Sequence, residues 1–340
     1  MHLYRNRVNG IPLPYKINFN LTYRCNSFCR HCRIWKLYTV NQEEMIRKEL
    51  TLEDYKKFLS SLGRNLFIAS FEGGEPFLRE DLADIVLTSV RECKNLLMLW
   101  IDSNGLLPEI IEKQVRDILK ENRTVPLYVA LSLDGQKSIH DSIRGVSGAY
   151  EKVMESRDRL LKIGIPNLKV YFQTTISRMN WRNILELYSQ YKRNMVFTLC
   201  HNAALFHNED DQDSVFHIEE KEEFISVLKQ LVGIYQIRDY PDILNKMFIK
   251  QAISYVRSRK PPVPCYASFA TLSIDPYGNV RPCSFIRESF GNILHVNHEL
   301  NMLLKQAGSE LRDKIRKGDC PLCWMNCDAL PSLLHSFMPF

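Results

Sequence analysis

The sequence predicts an α/β fold: six β/α units forming a parallel sheet, curved into a partial barrel or left open, then a small C-terminal unit with a β-hairpin. Three observations predict it. Between residues 15 and 200 an apolar run alternates with an amphipathic run six times. Each apolar run is short and β-rich, as strands buried in a parallel sheet should be. Finally, "KPPVP" at 260–264 breaks a helical stretch and marks a boundary.

The strand-like runs, in order, are "YKINFNLT" (15–22), "LFIASF" (66–71), "LLMLWID" (96–102), "LYVALSL" (127–133), "NLKVYFQTTI" (167–176) and "MVFTL" (195–199). Helical stretches lie between them at 51–62, 79–93, 108–121 and 148–164, the first opened by a capping box of Thr51 and Asp54. Residues 217–259 carry helical periodicity. Beyond the proline break, "TLSIDPYGNVRPC" reads as a hairpin. Its Asp275-Pro276-Tyr277-Gly278 fits a type I turn, which also accounts for Asp275. The expected organisation is an N-terminal extension (1–14), a barrel (15–210), a helical connection (211–260) and a C-terminal domain (261–340).

Composition narrows the function. The net charge of +6 comes from 45 basic and 39 acidic residues that are scattered, without basic–aromatic interleaving, so a nucleic-acid partner is not expected. No apolar run reaches membrane-spanning length, and the N-terminus lacks the apolar core of a signal peptide. The expected compartment is the cytoplasm, where ten cysteines read as metal ligands or buried thiols rather than disulfides. They fall in two groups: Cys25, Cys29 and Cys32 near the start, and Cys265, Cys283, Cys320, Cys323 and Cys327 near the end. Cys93 and Cys200 stand alone. Cys93 closes an amphipathic helix and reads as a small buried apolar residue.

In a parallel β/α sheet, ligands gather at the carboxyl ends of the strands. The unusual residues fall there: the cysteine loop after the first strand, "EGGEP" (72–76) after the second, and "DSNG" (102–105) after the third. "SLDG" (132–135), "QTT" (173–175) and "LCHN" (199–202) follow at the fourth, fifth and sixth. Six polar ends are thus aimed at one rim. Cys-x3-Cys-x2-Cys puts three thiolates on one short loop, able to hold one corner of an iron–sulfur cluster while leaving one iron open. The competing reading is zinc with a distant fourth ligand or His31, although zinc motifs more often pair two Cys-x2-Cys units.

"CNSFCRHC" followed one β/α unit later by Gly73-Gly74-Glu75-Pro76 resembles the radical S-adenosylmethionine (radical SAM) superfamily. The likeness continues through "LSLDGQKSIHDSIRGVSGAYEKV" (131–153) to the branch carrying a C-terminal SPASM or twitch domain. The family usually has an aromatic residue where this chain has His31, which can still stack on adenine.

The resemblance implies a (β/α)6 partial barrel of the TIM type. It also implies a [4Fe–4S] cluster on Cys25, Cys29 and Cys32, open to S-adenosylmethionine. Reductive cleavage of that cofactor to a 5′-deoxyadenosyl radical would lead to hydrogen abstraction from an unactivated C–H bond. Gly73, Gly74, Glu75 and Pro76 would then serve the cofactor's methionine end, the glycines by letting backbone approach closely. Ser132 and Arg144 are candidates for the ribose or carboxylate, and Ser103 and Gln173 are further candidates for the same cofactor. His140 and Asp141 brace the loop.

The C-terminal spacing resembles the first part of a SPASM domain, but five cysteines rather than seven imply one auxiliary [4Fe–4S] cluster, as in the twitch version. Cys265, Cys283, Cys320 and Cys323 are the chosen ligands, Cys327 the alternative, and a structural zinc site the competing reading. Cys200, on the rim, is a candidate hydrogen-atom donor, with His201, Asn202 and His207 as candidate substrate contacts. The expected reaction is oxidation (dehydrogenation) or epimerisation of a small-molecule or sugar-like substrate. Only 24 residues precede Cys25, leaving no room for an N-terminal peptide-recognition domain, so a peptide substrate is the alternative. The electron donor would be a flavodoxin or ferredoxin. A non-catalytic iron–sulfur or zinc protein is the rival class, though it would not need the "GGEP" stretch.

Overall fold

Successive residues of a strand face opposite sides of its sheet, and here the two sides meet different surroundings. The computed structural model describes residues 7–8, 11–38, 42–192, 194–200, 220–307, 309–320 and 322–337. The six expected strands form as β1 (Lys16–Thr22), β2 (Ile68–Gly73), β3 (Met98–Ser103), β4 (Leu127–Ser132), β5 (Leu168–Ile176) and β6 (Met195–Leu199). Neighbours pair in parallel and in chain order. The odd-numbered apolar residues of β1 to β4, such as Phe19, Phe71, Ile101 and Val129, are fully buried in one core beneath the helices. The opposite face of the same strands lines an internal cavity. Helices on one side and an enclosed space on the other are the layout of a partial TIM-type barrel.

The connecting helices are α1 (Leu52–Leu62), α2 (Leu82–Glu92), α3 (Pro108–Glu121), α4 (Lys137–Arg144), α5 (Ala149–Lys162) and α6 (Ile184–Tyr191). Thr51 and Asp54 make the expected reciprocal capping box at the start of α1. Two helices, α7 (Lys221–Ile234) and α8 (Tyr240–Ser258), follow β6. The hairpin is β7 (Thr271–Ile274) and β8 (Asn279–Arg281), and β9 (Gly291–Asn292) pairs with β8. The Gly278 N–H donates to the Asp275 carbonyl at 3.0 Å, and the Asp275 carboxylate accepts from the N–H groups of Tyr277 and Asn279.

One feature of the sheet lies beyond the sequence reading. β7 pairs in parallel with β1, Asn18 opposite Ser273, so the hairpin extends the barrel sheet to nine strands in the order β9-β8-β7-β1-β2-β3-β4-β5-β6. The C-terminal chain ends in α9 (Leu300–Gln306), α10 (Glu310–Lys317) and α11 (Asn326–Phe337). Pairing of β7 with β1 brings α11 beside the cavity, which Met325 and Asn326 help to line.

Candidate active site

The rim is assembled by backbone hydrogen bonds between loops. The cysteine loop after β1 is stitched to the end of α4: the Phe28 N–H donates to the Arg144 carbonyl at 2.9 Å and the Arg30 N–H to the Ile143 carbonyl at 2.8 Å. On its other side it meets the "GGEP" turn, where the Gly74 N–H donates to the Thr22 carbonyl and the Glu75 N–H to the Arg24 carbonyl, both at 2.7 Å. A Cβ on Gly73 would stand 2.3 Å from the Thr22 oxygen, and one on Gly74 2.0 Å from the Arg24 oxygen. These glycines are therefore required by the approach of the cysteine loop itself.

Arg144 is buried and central. Its guanidinium donates to Cys29 Sγ at 3.6 Å and pairs with Asp134 at 2.7 Å. Burial opposes ionisation of Asp134, but Arg144 outweighs it and holds that carboxyl below its usual range. His140 Nδ1 accepts from the Asp134 N–H at 3.1 Å, and burial, then Arg144, pushes its pKa down to about 4, so it is neutral. Asp141 accepts from the N–H groups of Gly148 and Tyr150. Both residues brace the segment.

A cavity of about 330 Å³ opens beneath this rim. Cys25, Cys29 and Cys32 share its wall with His31, Gly73, Gly74, Ser103, Ser132, Arg144 and Gln173. Glu75 and Pro76 are not among the lining residues. Glu75 is fully buried and accepts from the Phe77 N–H (3.2 Å), the Ser103 hydroxyl (3.0 Å) and the Asn104 N–H (2.7 Å), so its carboxylate fastens the turn to β3. Pro76 opens a 3-10 turn (Pro76–Leu78). Burial pushes the Cys25 and Cys32 thiols up to about 12. Such thiols are neutral until a metal displaces their protons. The Cys29 sulfur meets the Arg144 guanidinium and lies 3.1 Å from the Ser27 hydroxyl. This donor set fits an iron–sulfur cluster.

Cys265, Cys283, Cys320 and Cys323 line a second cavity of about 370 Å³. Burial again raises the Cys265 thiol, to about 12, and the Cys283 and Cys323 thiols with it. Cys327 belongs to the wall of the first cavity. Its Sγ lies 3.5 Å from the Asp328 carboxylate and its carbonyl accepts from Lys16 Nζ at 2.9 Å. Cys200 is fully buried at the end of β6, close enough to influence Cys32, but it is not a lining residue. Cys93 is buried as expected. His201, Asn202 and His207 lie outside the described residues.

The sequence reading missed part of the wall of the first cavity: Lys16, Asn18 and Asn20 on β1 and Trp100 on β3; Glu72 and Asp102, which open the "EGGEP" and "DSNG" strand ends, line it as well. A signal was present. Strands covered on both faces should be apolar throughout, whereas β1 alternates K-I-N-F-N.

A family model described as the Radical SAM superfamily matches residues 19–213. Over 299 residues the chain is 27% identical to the "Antilisterial bacteriocin subtilosin biosynthesis protein AlbA" of Bacillus subtilis (strain 168), covering 86% of this chain and 60% of that protein. It is 32% identical over 182 residues to the "Pre-heme d1 synthase" of Dinoroseobacter shibae, covering 52% of this chain and 40% of that one. The chain thus spans well under two thirds of the length of these relatives. Among solved structures, anSMEcpe with bound AdoMet and Cp18Cys peptide superposes with a TM-score of 0.61 at 18% identity, covering 89% of this chain and 82% of that one. That likeness is one of fold. No helix among the described residues is long and apolar enough to cross a membrane.

Proposed function

The chain belongs to the radical SAM superfamily, and on that premise we propose that it modifies a peptide by hydrogen abstraction from an unactivated C–H bond, leading to oxidation. The observation that carries the peptide reading is the extent of the AlbA likeness. A match of 299 residues reaches well past the family segment at 19–213 into the C-terminal cysteines, whereas the heme-synthase likeness covers about half the chain. This reverses the preference for a small molecule drawn from the sequence.

In this reading Cys25, Cys29 and Cys32 hold a [4Fe–4S] cluster and the rim residues Gly73, Gly74, Ser103, Ser132, Arg144 and Gln173 hold S-adenosylmethionine. When bound, the pair supplies an electron to the sulfonium and a 5′-deoxyadenosyl radical to the substrate. The chain itself positions and shields: Arg144 offsets the negative charge of the sulfurs, Glu75 and Asp134 fix the loops, and the barrel excludes water. Cys265, Cys283, Cys320 and Cys323 hold an auxiliary cluster, within a C-terminal domain over 261–340. A flavodoxin or ferredoxin provides the electron.

Epimerisation is the second reading, and the placement of Cys327 favours a different donor for it. Cys327, on the cavity wall, would return the hydrogen atom in place of the buried Cys200.

Anaerobic protein should carry about eight irons for two cubanes and release 5′-deoxyadenosine with dithionite and S-adenosylmethionine. Cys29→Ala should abolish that product and halve the iron, and Cys283→Ala should halve the iron by emptying the other site. Colourless, zinc-containing protein would overturn the reading. Deuterium from D2O at the modified carbon, lost in Cys327→Ala, would decide for epimerisation.

A further inference from the structure

The strand residues of the first cavity, beside and below Gly73 and Ser103, carry polar groups to which the cofactor reading gives no role. Asn18 is fully buried and lines this cavity, and neither its Oδ1 nor its Nδ2 has a hydrogen-bond partner. An unpaired buried amide is costly, and a fold keeps one where something else completes it. Glu72 and Asp102 reach into the same space from β2 and β3. One oxygen of Glu72 accepts from the Ser284 hydroxyl at 3.3 Å, and one of Asp102 accepts from Trp100 Nε1–H at 2.7 Å. Each carboxylate has a second oxygen. The two act on each other as like charges, and burial, its largest cause, together with that repulsion pushes Glu72 up to about 7; burial brings Asp102 to about 6.

Against these two carboxyls the cavity wall sets Lys16, and Arg144 at the rim. Lys16 lowers both carboxyls, but its ammonium donates to the Cys327 carbonyl at 2.9 Å. Arg144 is paired with Asp134 at the rim. Beside Asp102, Trp100 stacks on Tyr128 with centroids 5.6 Å apart and leans on Tyr171 at 5.9 Å. An ammonium beside Trp100 gains from the ring as well as from the carboxylates.

We propose that Asn18, Glu72, Asp102 and Trp100 form the substrate-recognition floor of the barrel, and that it takes a protonated amine carried on an apolar stem, as in a lysine side chain of a peptide. The inference rests on the reading that substrate meets cofactor in this cavity. The amide of Asn18 is free to pair with the group next to the amine or with a peptide amide. Two carboxylates and an indole around one site select a hydrogen-bond-donating cation and disfavour an anion.

The test is calorimetric titration of the full chain, reconstituted anaerobically with iron and sulfide and saturated with S-adenosylmethionine, without reductant. The probes are Nα-acetyl-lysine N-methylamide, its norleucine and glutamate counterparts, and phenethylamine. The lysine probe is expected to bind at least about tenfold more tightly than the norleucine and glutamate probes. Glu72→Gln with Asp102→Asn should erase that preference, and Lys16→Met should keep it. Thermal melting of the variants shows that they are folded, since neutral amides replace buried like charges.

Equal binding of the lysine and norleucine probes, or a preference that survives in the double variant, would overturn the proposal. So would a glutamate preference lost in Lys16→Met. Binding of phenethylamine alone would uphold amine recognition and overturn the peptide as its source. Because no turnover is involved, a chain that binds the lysine probe yet releases no 5′-deoxyadenosine would refute the proposed reaction and leave this floor standing.

Discussion

The rim and the floor of the barrel bury polar groups on opposite terms. At the rim, most polar groups are paired: Glu75 accepts three hydrogen bonds, Arg144 is shared between Asp134 and Cys29, and His140 accepts from the Asp134 N–H, with Arg144 Nε and His140 Nε2 left over. On the floor, Asn18 has no hydrogen-bond partner, and Glu72 and Asp102 stand on adjacent strands with one neighbour's hydrogen bond apiece. A satisfied network is rigid and fixes a constant occupant. An unsatisfied one is completed from outside, which suits an occupant that enters and leaves. The difference separates the part of the cavity built to hold a cofactor from the part built to read a substrate.

The sharpest way to break the comparison is at the rim. Gly74→Ala puts a methyl 2.0 Å from the Arg24 carbonyl oxygen, a backbone atom that cannot rotate away. The expected loss is about 3 kcal/mol or more. Chemical denaturation should show it, together with iron bound below the native content because the cysteine loop is displaced. Unchanged stability would mean that the rim has the slack here attributed to the floor.

The floor should respond in the other direction. Burial, then Asp102, pushes Glu72 up to about 7 from the ordinary glutamate value of 4.5, so the native state holds its proton more tightly than the unfolded chain does. The fold is therefore favoured below about 4.5 and loses that advantage as pH rises through 7. Glu72→Gln removes the dependence. It should be more stable than the native chain at pH 8, by about 1–3 kcal/mol once coupling to Asp102 and cavity water are allowed for, and about equal at pH 4.5. Denaturation curves at the two pH values measure this. A variant less stable at pH 8 would show that Glu72 is already paired.

The two regions also differed in how far they could be read in advance. Rim residues sit on contiguous motifs, "CNSFCRHC" and "GGEP", that are local in sequence although the backbone bonds joining them to each other and to α4 are not. The Thr51–Asp54 cap and the Asp275 turn are local too, and all of these were legible. Even there the role of Glu75 was not: its three donors come from Phe77, Ser103 and Asn104, two of them on another loop. On the floor, Asn18 and Trp100 are single positions on separate strands, and although Glu72 and Asp102 open quoted stretches, only the sheet brings the four together. The pairing of β7 with β1 joins residues some 250 positions apart, and no local pattern encodes it. Cys327 shows the same limit. Its spacing made it an alternative to its neighbours, but the turn into α11 sets it on the wall of the first cavity while they line the second.

The smallest expected effect is the most specific to the contrast. Asn18→Leu replaces a fully buried, unpaired amide with an apolar side chain of similar size, between strands whose pairing it does not touch. At a satisfied position such a change is destabilising, because partners lose their bonds. At Asn18 no partner is left behind, so the desolvation cost of the amide is simply removed and the chain should gain about 1 kcal/mol. The gain should come with weaker binding of the lysine probe, since the group that completes the substrate's hydrogen bonds is gone. Stability and binding moving in opposite directions is the signature of a site held unsatisfied for a ligand. If Asn18→Leu lowers both, the amide is structural and the floor obeys the same rule as the rim.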